Sequence, residues 1–452
     1  MIAEATPVQV IHAARVIEEL PLLGSMPSYN RDRLSFLLGL ARVGDAVAFH
    51  FGPFPSLFFN TAELVQNVLV EHAHDADTGE LRRRAFEPII GHGLFVSEGE
   101  LHRRQRKAMA PAFQPRHIQR YADTMVRYGE LAQAGWADGG VVAINREMTH
   151  ITMSVIGKVL FDADVFTEAD ELGHAITVVL EHINYVFSHI VPIPLSWPLP
   201  RHRRTRAARA LLHARMQEMI EERRRAGDGE RGDFLSILLR TRDEDGNLMN
   251  DEQVRDEVTT FFGAGHETTA VALTWAWYLL ARHRDIYEHL LDEVDTALSG
   301  RAPTYADLPR LPYTLRVLKE TLRLYPPAYI LSRVVTRDLD ARGYRVPRGT
   351  TVIMSPYALH RRPDYFPDPE RFDPDRFTPE REARLPRNAY LPFGAGPRIC
   401  IGNHFALMEG HLLLATLAQR VRFELVPGQR VAPDPKVTLR PRGDIRMVVR
   451  RR

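Results

Sequence analysis

One cysteine stands in a chain of 452 residues. That scarcity excludes an internal disulfide, so the fold does not depend on an oxidising compartment. It also excludes zinc and iron–sulfur sites built from several thiolates. Positive charge is not in excess: Lys and Arg number 59 against 57 Asp and Glu, a formal net charge of +2. That balance argues against a nucleic-acid partner. Long hydrophobic runs are missing. The most apolar stretch, AVALTWAWYLLA from Ala270 to Ala281, is too short for a bilayer, which takes about twenty residues. The start, MIAEATPVQVIHAARVIEEL, lacks a basic segment followed by an apolar run, so no signal peptide is read. A cytoplasmic protein without a transmembrane segment is expected. Internal repeats, low-complexity blocks and shifts of composition are absent as well, so residues 1–452 are expected to form one domain.

The order of patterns along the chain gives a mainly α protein with small β-sheets. Val47–Phe51, Gly52-Pro53 and Ser56–Phe59 read as a hairpin, followed by a capping box on Asn60 and Glu63. Residues 100 to 300 carry helical patterns, broken at VPIPLSWPLP (Val191–Pro200) and at AGDGERGD (Ala226–Asp233). The basic run RHRRTRAARA that follows Leu199 is either a membrane or partner patch or, the reading favoured here, a solvated helix face. YRVPRGTTVIMS (Tyr344–Ser355) alternates and turns, and is expected to be a second hairpin. The β-rich parts thus fall at about 40–60 and 330–360, the rest being helical. Between Arg361 and Pro397 prolines recur and no helical period survives. A stretch of that length is usually functional.

The lone thiol sits at the end of that stretch, in PFGAGPRICIG (Pro392–Gly402). Beyond it Phe405, Met408, Leu412 and Ala415 step by three and four, one face of a helix. Cys400 therefore lies at a helix N-terminus, where free amides and the macrodipole favour an anion, and a lowered thiol pKa is expected. A buried structural cysteine and a reactive nucleophile are both possible. Neither explains three glycines, two prolines and an arginine around it. A haem iron needs one axial ligand, and a single thiolate can be that ligand.

A second unusual stretch is NDEQVRDEVTTFFGAGHETTAVALTWAWYLLARHR, opened by Asn250 as N-cap with Gln253 three residues on. Gly263, Gly265, Thr268 and Thr269 are poor interior helix residues, and their presence predicts a kink, a gap or a needed hydroxyl. The zinc-protease pattern H-E-x-x-H fails because Ala270 holds the second His position. A dinucleotide fingerprint fails because Thr268 replaces the third glycine. Two readings remain: Thr back-bonding beside a surface glutamate, or an acid–alcohol pair, Glu267 and Thr268, that relays protons.

Phe393, Gly396, Arg398, Cys400 and Gly402 match F-x-x-G-x-R-x-C-x-G, and Phe405, Ala406 and Glu409 extend the match. This resembles the signature of the cytochrome P-450 superfamily. The likeness covers nearly the whole chain, with its motifs in family order. It implies a single-domain fold with haem between a long central helix and the helix after the cysteine loop. It implies Cys400 as the iron ligand, with Phe393 and Gly402 against the cofactor and Glu267 and Thr268 as the oxygen-activation pair. His102 and Arg106 in GELHRRQRKAMAPAF resemble the W-x-x-x-R propionate clamp, with His in the Trp position. Arg398 and Arg333 sit where relatives place further propionate partners. Glu320 and Arg323 resemble E-x-x-R, and FDPDRF (Phe372–Phe377) resembles P-E-R-F, so Arg376 should complete a buried network behind the meander.

The activity implied is insertion of one oxygen atom from O₂ into a lipophilic small molecule, a fatty acid or terpenoid, by hydroxylation or epoxidation. Haem b (iron protoporphyrin IX) is the implied cofactor. No flavin or iron–sulfur segment is fused, so electrons should come from a ferredoxin with its reductase or from a flavodoxin. Peroxide-driven oxygenation and a non-catalytic haem-thiolate sensor are the alternatives. Family layout offers Phe95, Phe261, Phe262, Ala264, Tyr329 and Ile330 as pocket lining; the same side chains could be plain core.

Overall fold

The computed structural model describes residues 14–17, 22–164, 166, 169–225, 233–241 and 248–452. The AGDGERGD break lies outside them except for Asp233. The chain divides into two compact units. The first comprises residues 1–80, 330–369 and 385–399; the second comprises 81–329, 370–384 and 400–452.

The first unit is built on a six-stranded sheet. Its hairpin pairs Ala46–Phe51 with Phe54–Phe59, register Ala46 to Phe59. Gly52, at φ +58°, supplies the positive φ that a two-residue hairpin turn requires. The helix cap that follows is one residue later than the sequence pattern suggests. The Asn60 amide still bonds Asp45 O at 2.9 Å and so closes the hairpin. Thr61 caps instead, its Oγ1 accepting from Leu64 N at 3.2 Å. Tyr344–Ser355 is not a hairpin. Tyr344–Val346 pairs back onto Leu339–Ala341, while Thr351–Met354 enters the large sheet between Ser56–Phe59 and Leu331–Val334. Val352, Ile353 and Met354 are all buried, as a strand flanked on both edges demands.

The second unit is helical, with a small sheet of Val421–Leu425, Arg446–Arg451 and Val141–Ala143 and a ribbon of Pro433–Pro435 with Leu439–Pro441. Its axis is the central helix, Asp251–Arg282, 32 residues and about 48 Å long. Asn250 Oδ1 accepts from Gln253 N at 2.8 Å, the predicted cap. The helix is apolar nearly all round in its C-terminal half, where Leu273, Trp275, Ala276, Trp277 and Leu280 are fully buried. Trp275 stacks on Tyr325, centroids 4.0 Å apart, and donates to Leu439 O at 2.7 Å.

The awkward residues of the central helix have separate reasons. A Cβ at Gly265 would lie 2.7 Å from Ile156 Cδ1, so this glycine permits close crossing by the helix Ile144–Phe161. At that crossing Thr152 Oγ1 also reaches His266 O at 3.1 Å. Thr268 and Thr269 bond back to Ala264 O and Gly265 O, at 3.0 and 3.4 Å, and helical structure continues without a break. The proline-rich break lies between the helices Ala169–Phe187 and Pro200–Arg225, as the sequence suggests. Arg201, Arg203 and Arg204 are exposed on the second of these helices. Among the described residues no helix is long and apolar enough to cross a membrane.

Candidate haem-thiolate site

Cys400 precedes the helix Asn403–Ala418 and belongs to the second unit. Cys400 as a residue is exposed. It is nonetheless packed closely enough that burial pushes its pKa up, against the pull of the Gly402 amide and Arg106. The expected lowering by the helix N-terminus is therefore overturned, because desolvation outweighs both attractions. The charge that would reverse the desolvation is a metal cation on sulfur. A Cβ at Gly402 would make ordinary contact, 4.0 Å from both Cys400 Sγ and Phe113 Cε1.

The central helix has an opening of its own. Ala264 is exposed although its neighbours Phe261, Phe262 and His266 are buried, and Gly263 faces open space. Thr268 lies one turn further along the same face and is half-buried. Glu267 leaves the helix about 100° away from Thr268. Its carboxylate is committed to Arg440 at 3.1 Å and to the Thr438 hydroxyl at 2.9 Å.

In the helix Gly99–Met109, His102 is buried and Arg106 half-buried, while Arg103, Arg104 and Lys107 are exposed. Arg106 is near enough to Cys400 to act on its thiol. Phe393, Arg398 and Arg333, all half-buried, belong to the first unit. Arg333 lies in the strand Leu331–Val335 and donates to Ser332 O at 2.8 Å. In the loop ahead of Cys400, Gly394 and Gly396 both have φ +71°. Any Cβ at Gly396 would overlap Leu69 O.

The network expected around the meander is present. Glu320 and Arg323, fully buried, bond through two contacts of 2.7 and 2.8 Å. Arg376 approaches Glu320 at 3.4 Å. Arg323 also donates to Arg371 O at 3.1 Å, and Glu320 accepts from Asp373 N at 2.9 Å. Burial pushes Glu320 up, and the Arg323 guanidinium pulls against it.

Three suggested pocket residues are core instead. Phe261 lies against Phe113 and Phe234, Phe262 against Phe161, and the Tyr329 hydroxyl is bonded to Pro435 O and Lys436 O. Ala264 and Phe95 remain accessible, and Ile330 is half-buried. Sequence reasoning passed over Asp256 and Glu257, both buried in the central helix. They lie in the polar opening segment NDEQVRDE (Asn250–Glu257), where a charged residue reads as solvent-facing, so the sequence carried no signal of their burial. Glu409, noted only as a motif position, is buried beside Thr269 and is pushed far up by desolvation.

Residues 16–446 match the family model described as Cytochrome P450.

The chain belongs to the cytochrome P450 family.

It is 39% identical over 411 residues to a cyclooctat-9-en-7-ol 5-monooxygenase of Streptomyces melanosporofaciens, covering 90% of this chain and 89% of the relative. It is 37% identical over 424 residues to a pentalenene oxygenase of Streptomyces avermitilis, covering 93% of each. Its fold is similar to that of a retinoic acid-bound cyanobacterial CYP120A1, with a TM-score of 0.87 and 26% identity over 98% of this chain and 100% of that one. As a cytochrome P450 the protein is an oxidoreductase of the monooxygenase kind, using haem iron and O₂ on a lipophilic substrate with electrons from redox partners. The residues fit that cofactor. A lone thiolate donor at the start of a helix, an exposed alanine in a buried helix and an arginine near the sulfur suit a large planar group with a cationic centre and acidic edges.

Proposed function

We propose that this cytochrome P450 hydroxylates or epoxidises a cyclic terpenoid, with haem b bound through Cys400. The names of the two Streptomyces relatives support the substrate class: one acts on a cyclic alkenol and the other on pentalenene. The observation that carries the cofactor assignment is Cys400, the one cysteine of the sequence, held just ahead of the helix Asn403–Ala418 with Arg106 near enough to act on its thiol. Haem bound there would supply O₂ binding and reductive O–O cleavage, with the thiolate as electron donor to the iron. His102, Arg106, Arg333 and Arg398 would hold the propionates, with Phe393 and Gly402 against the ring.

Thr268 holds a proton at Oγ1, donated in the resting state to Ala264 O, and can turn it toward the opening. Glu267 is the second member of the relay, held at Arg440 and exchanging protons with Thr268 through solvent rather than by direct contact. A separate donor, a ferredoxin with its reductase or a flavodoxin, supplies the electrons in a cytoplasmic setting. The two units act as one haem-thiolate domain.

The test is turnover of a panel of cyclic sesquiterpenes and diterpenes with a surrogate ferredoxin pair, alongside the ferrous carbonyl spectrum. Oxygenated product and a red-shifted Soret band are expected, and Cys400→Ser should lose the band. A band unchanged in Cys400→Ser refutes the ligand. Turnover by peroxide alone, undiminished in Thr268→Ala, replaces the monooxygenase reading by a peroxygenase.

A further inference from the structure

Asp256 and Glu257 stand side by side in the first third of the central helix, and both are buried. Placing two carboxyl groups in a protein interior is costly unless each has partners. Their partners are backbone amides of one turn. Asp256 Oδ2 accepts from His92 N at 2.8 Å, and Glu257 Oε2 accepts from Leu94 N at 2.9 Å. Arg255 pairs with Asp256 at 3.1 Å on its other oxygen. Gln105 Nε2 donates to His92 O at 2.9 Å and holds the turn from another side.

The turn has the residues this close seating demands. Gly91 lies at φ +64°, and a Cβ there would overlap the Asp256 carboxylate. A Cβ at Gly93 would overlap Thr260 Oγ1 and crowd Asp256 O at 2.8 Å. Upstream, Arg209 donates to Pro88 O and His213 contacts Ile89 O, both at 2.8 Å, so the carbonyls ahead of the turn are also fixed. Downstream the first residue is Phe95, which stays 36% exposed amid buried Leu94 and Val96. Arg82 donates to its carbonyl at 2.8 Å and lies 3.8 Å over its ring, and Phe86 packs edge-on at 4.8 Å.

Helical geometry places the turn relative to the opening. Residues 257, 264 and 268 are seven and four apart, so they share one face of the central helix, and Glu257 and Ala264 are about 10 Å apart along the axis. The exposed ring of Phe95 follows a turn seated on the same face as Ala264.

We propose that Asp256 and Glu257 are positioning residues: they clamp the Gly91–Leu94 turn to the central helix, and the clamp sets where Phe95 stands as a wall beside Ala264, hence which part of a bulky substrate is admitted there. The inference rests on the haem-site reading above. The two carboxyl groups act through Phe95 and touch no reactant.

Binding of imidazole and of 4-phenylimidazole to the haem-loaded protein, read from the Soret shift, tests the clamp. Imidazole occupies the iron alone, and the phenyl group probes the wall. The ratio of the two dissociation constants should move at least fivefold in Glu257→Ala and in Phe95→Ala. The Glu257→Ala change should vanish in the Phe95→Ala background, because the effect travels through that ring. Glu257→Gln keeps an oxygen acceptor for the Leu94 amide and should stay within twofold of the parent. In the protein as purified, amide exchange of His92 and Leu94 should rise at least tenfold in Glu257→Ala. Additive effects of Glu257→Ala and Phe95→Ala, or an unchanged ratio despite faster exchange, overturn the proposal. A parent protein whose Soret band ignores imidazole overturns the haem reading and this inference with it.

Discussion

Glu257 also makes a quantitative prediction about stability. Burial raises its pKa from 4.5 to about 8, while the Leu94 amide opposes the rise. The folded chain therefore keeps a proton that the unfolded chain releases between those two values. Stability is full below pH 4.5, falls as pH rises, and stops falling through this group above pH 8. At about 1.36 kcal/mol per pH unit, the loss over that window is about 5 kcal/mol, most of it already lost at pH 7. Glu257→Gln cannot titrate and accepts the same amide hydrogen bond. Every other group titrates alike in both proteins, so the difference between them isolates this carboxyl. Urea unfolding followed by circular dichroism at pH 6, 7, 8 and 9 is the assay. The variant should gain on the parent by about 1.4 kcal/mol per unit from pH 6 to pH 8, and the gain should level off by pH 9. Parallel stability curves across that range would refute a protonated Glu257 in the folded state.

Gly396→Ala places a methyl group on Leu69 O in a left-handed residue; the φ > 0 penalty alone is about 1–2 kcal/mol. Haem content and thermal midpoint should both drop, and normal loading would show that the cysteine loop tolerates the shift. Glu320→Ala leaves Arg323 buried with its carboxylate gone and should cost about 3–5 kcal/mol in chemical unfolding. A loss below about 1 kcal/mol would mean that the ion pair does not hold the meander. Thr268→Ala should preserve haem binding and NAD(P)H consumption with a surrogate redox pair while product per electron falls severalfold. Intact coupling in that variant would remove Thr268 from proton delivery.

How much of this protein is legible in its sequence depends on the distance over which each feature is decided. The cap at Asn250, the hairpin around Gly52 and the helix after Cys400 are set by residues within a few positions of one another. Their hydrogen bonds and periodicities could be read directly. The loop around Cys400 was legible for a related reason: its chemistry and its backbone demands occupy eleven consecutive residues. The cap after the hairpin falls on Thr61 rather than Asn60, whose backbone amide still closes the hairpin to Asp45, fifteen positions away.

Partners distant in the chain were decided only by tertiary packing. Thr351–Met354 takes its neighbours from two other strands, one of them nearly three hundred residues earlier, so the alternation that suggested a hairpin carries no information about them. Gly265 looks like a helix defect until Ile156 is placed against it. Glu267 looks free until Arg440 and Thr438 arrive from the C-terminal ribbon. Phe261 and Ala264, three positions apart, have the same apolar character, yet one packs against aromatic rings and the other is left exposed. The thiol pKa follows the same division. Sequence alone placed Cys400 at a helix N-terminus, which favours the anion, whereas the packing of the folded chain around the sulfur determined that desolvation prevails. Local backbone energies act through a handful of neighbours, but burial is a property of everything the fold brings near a group.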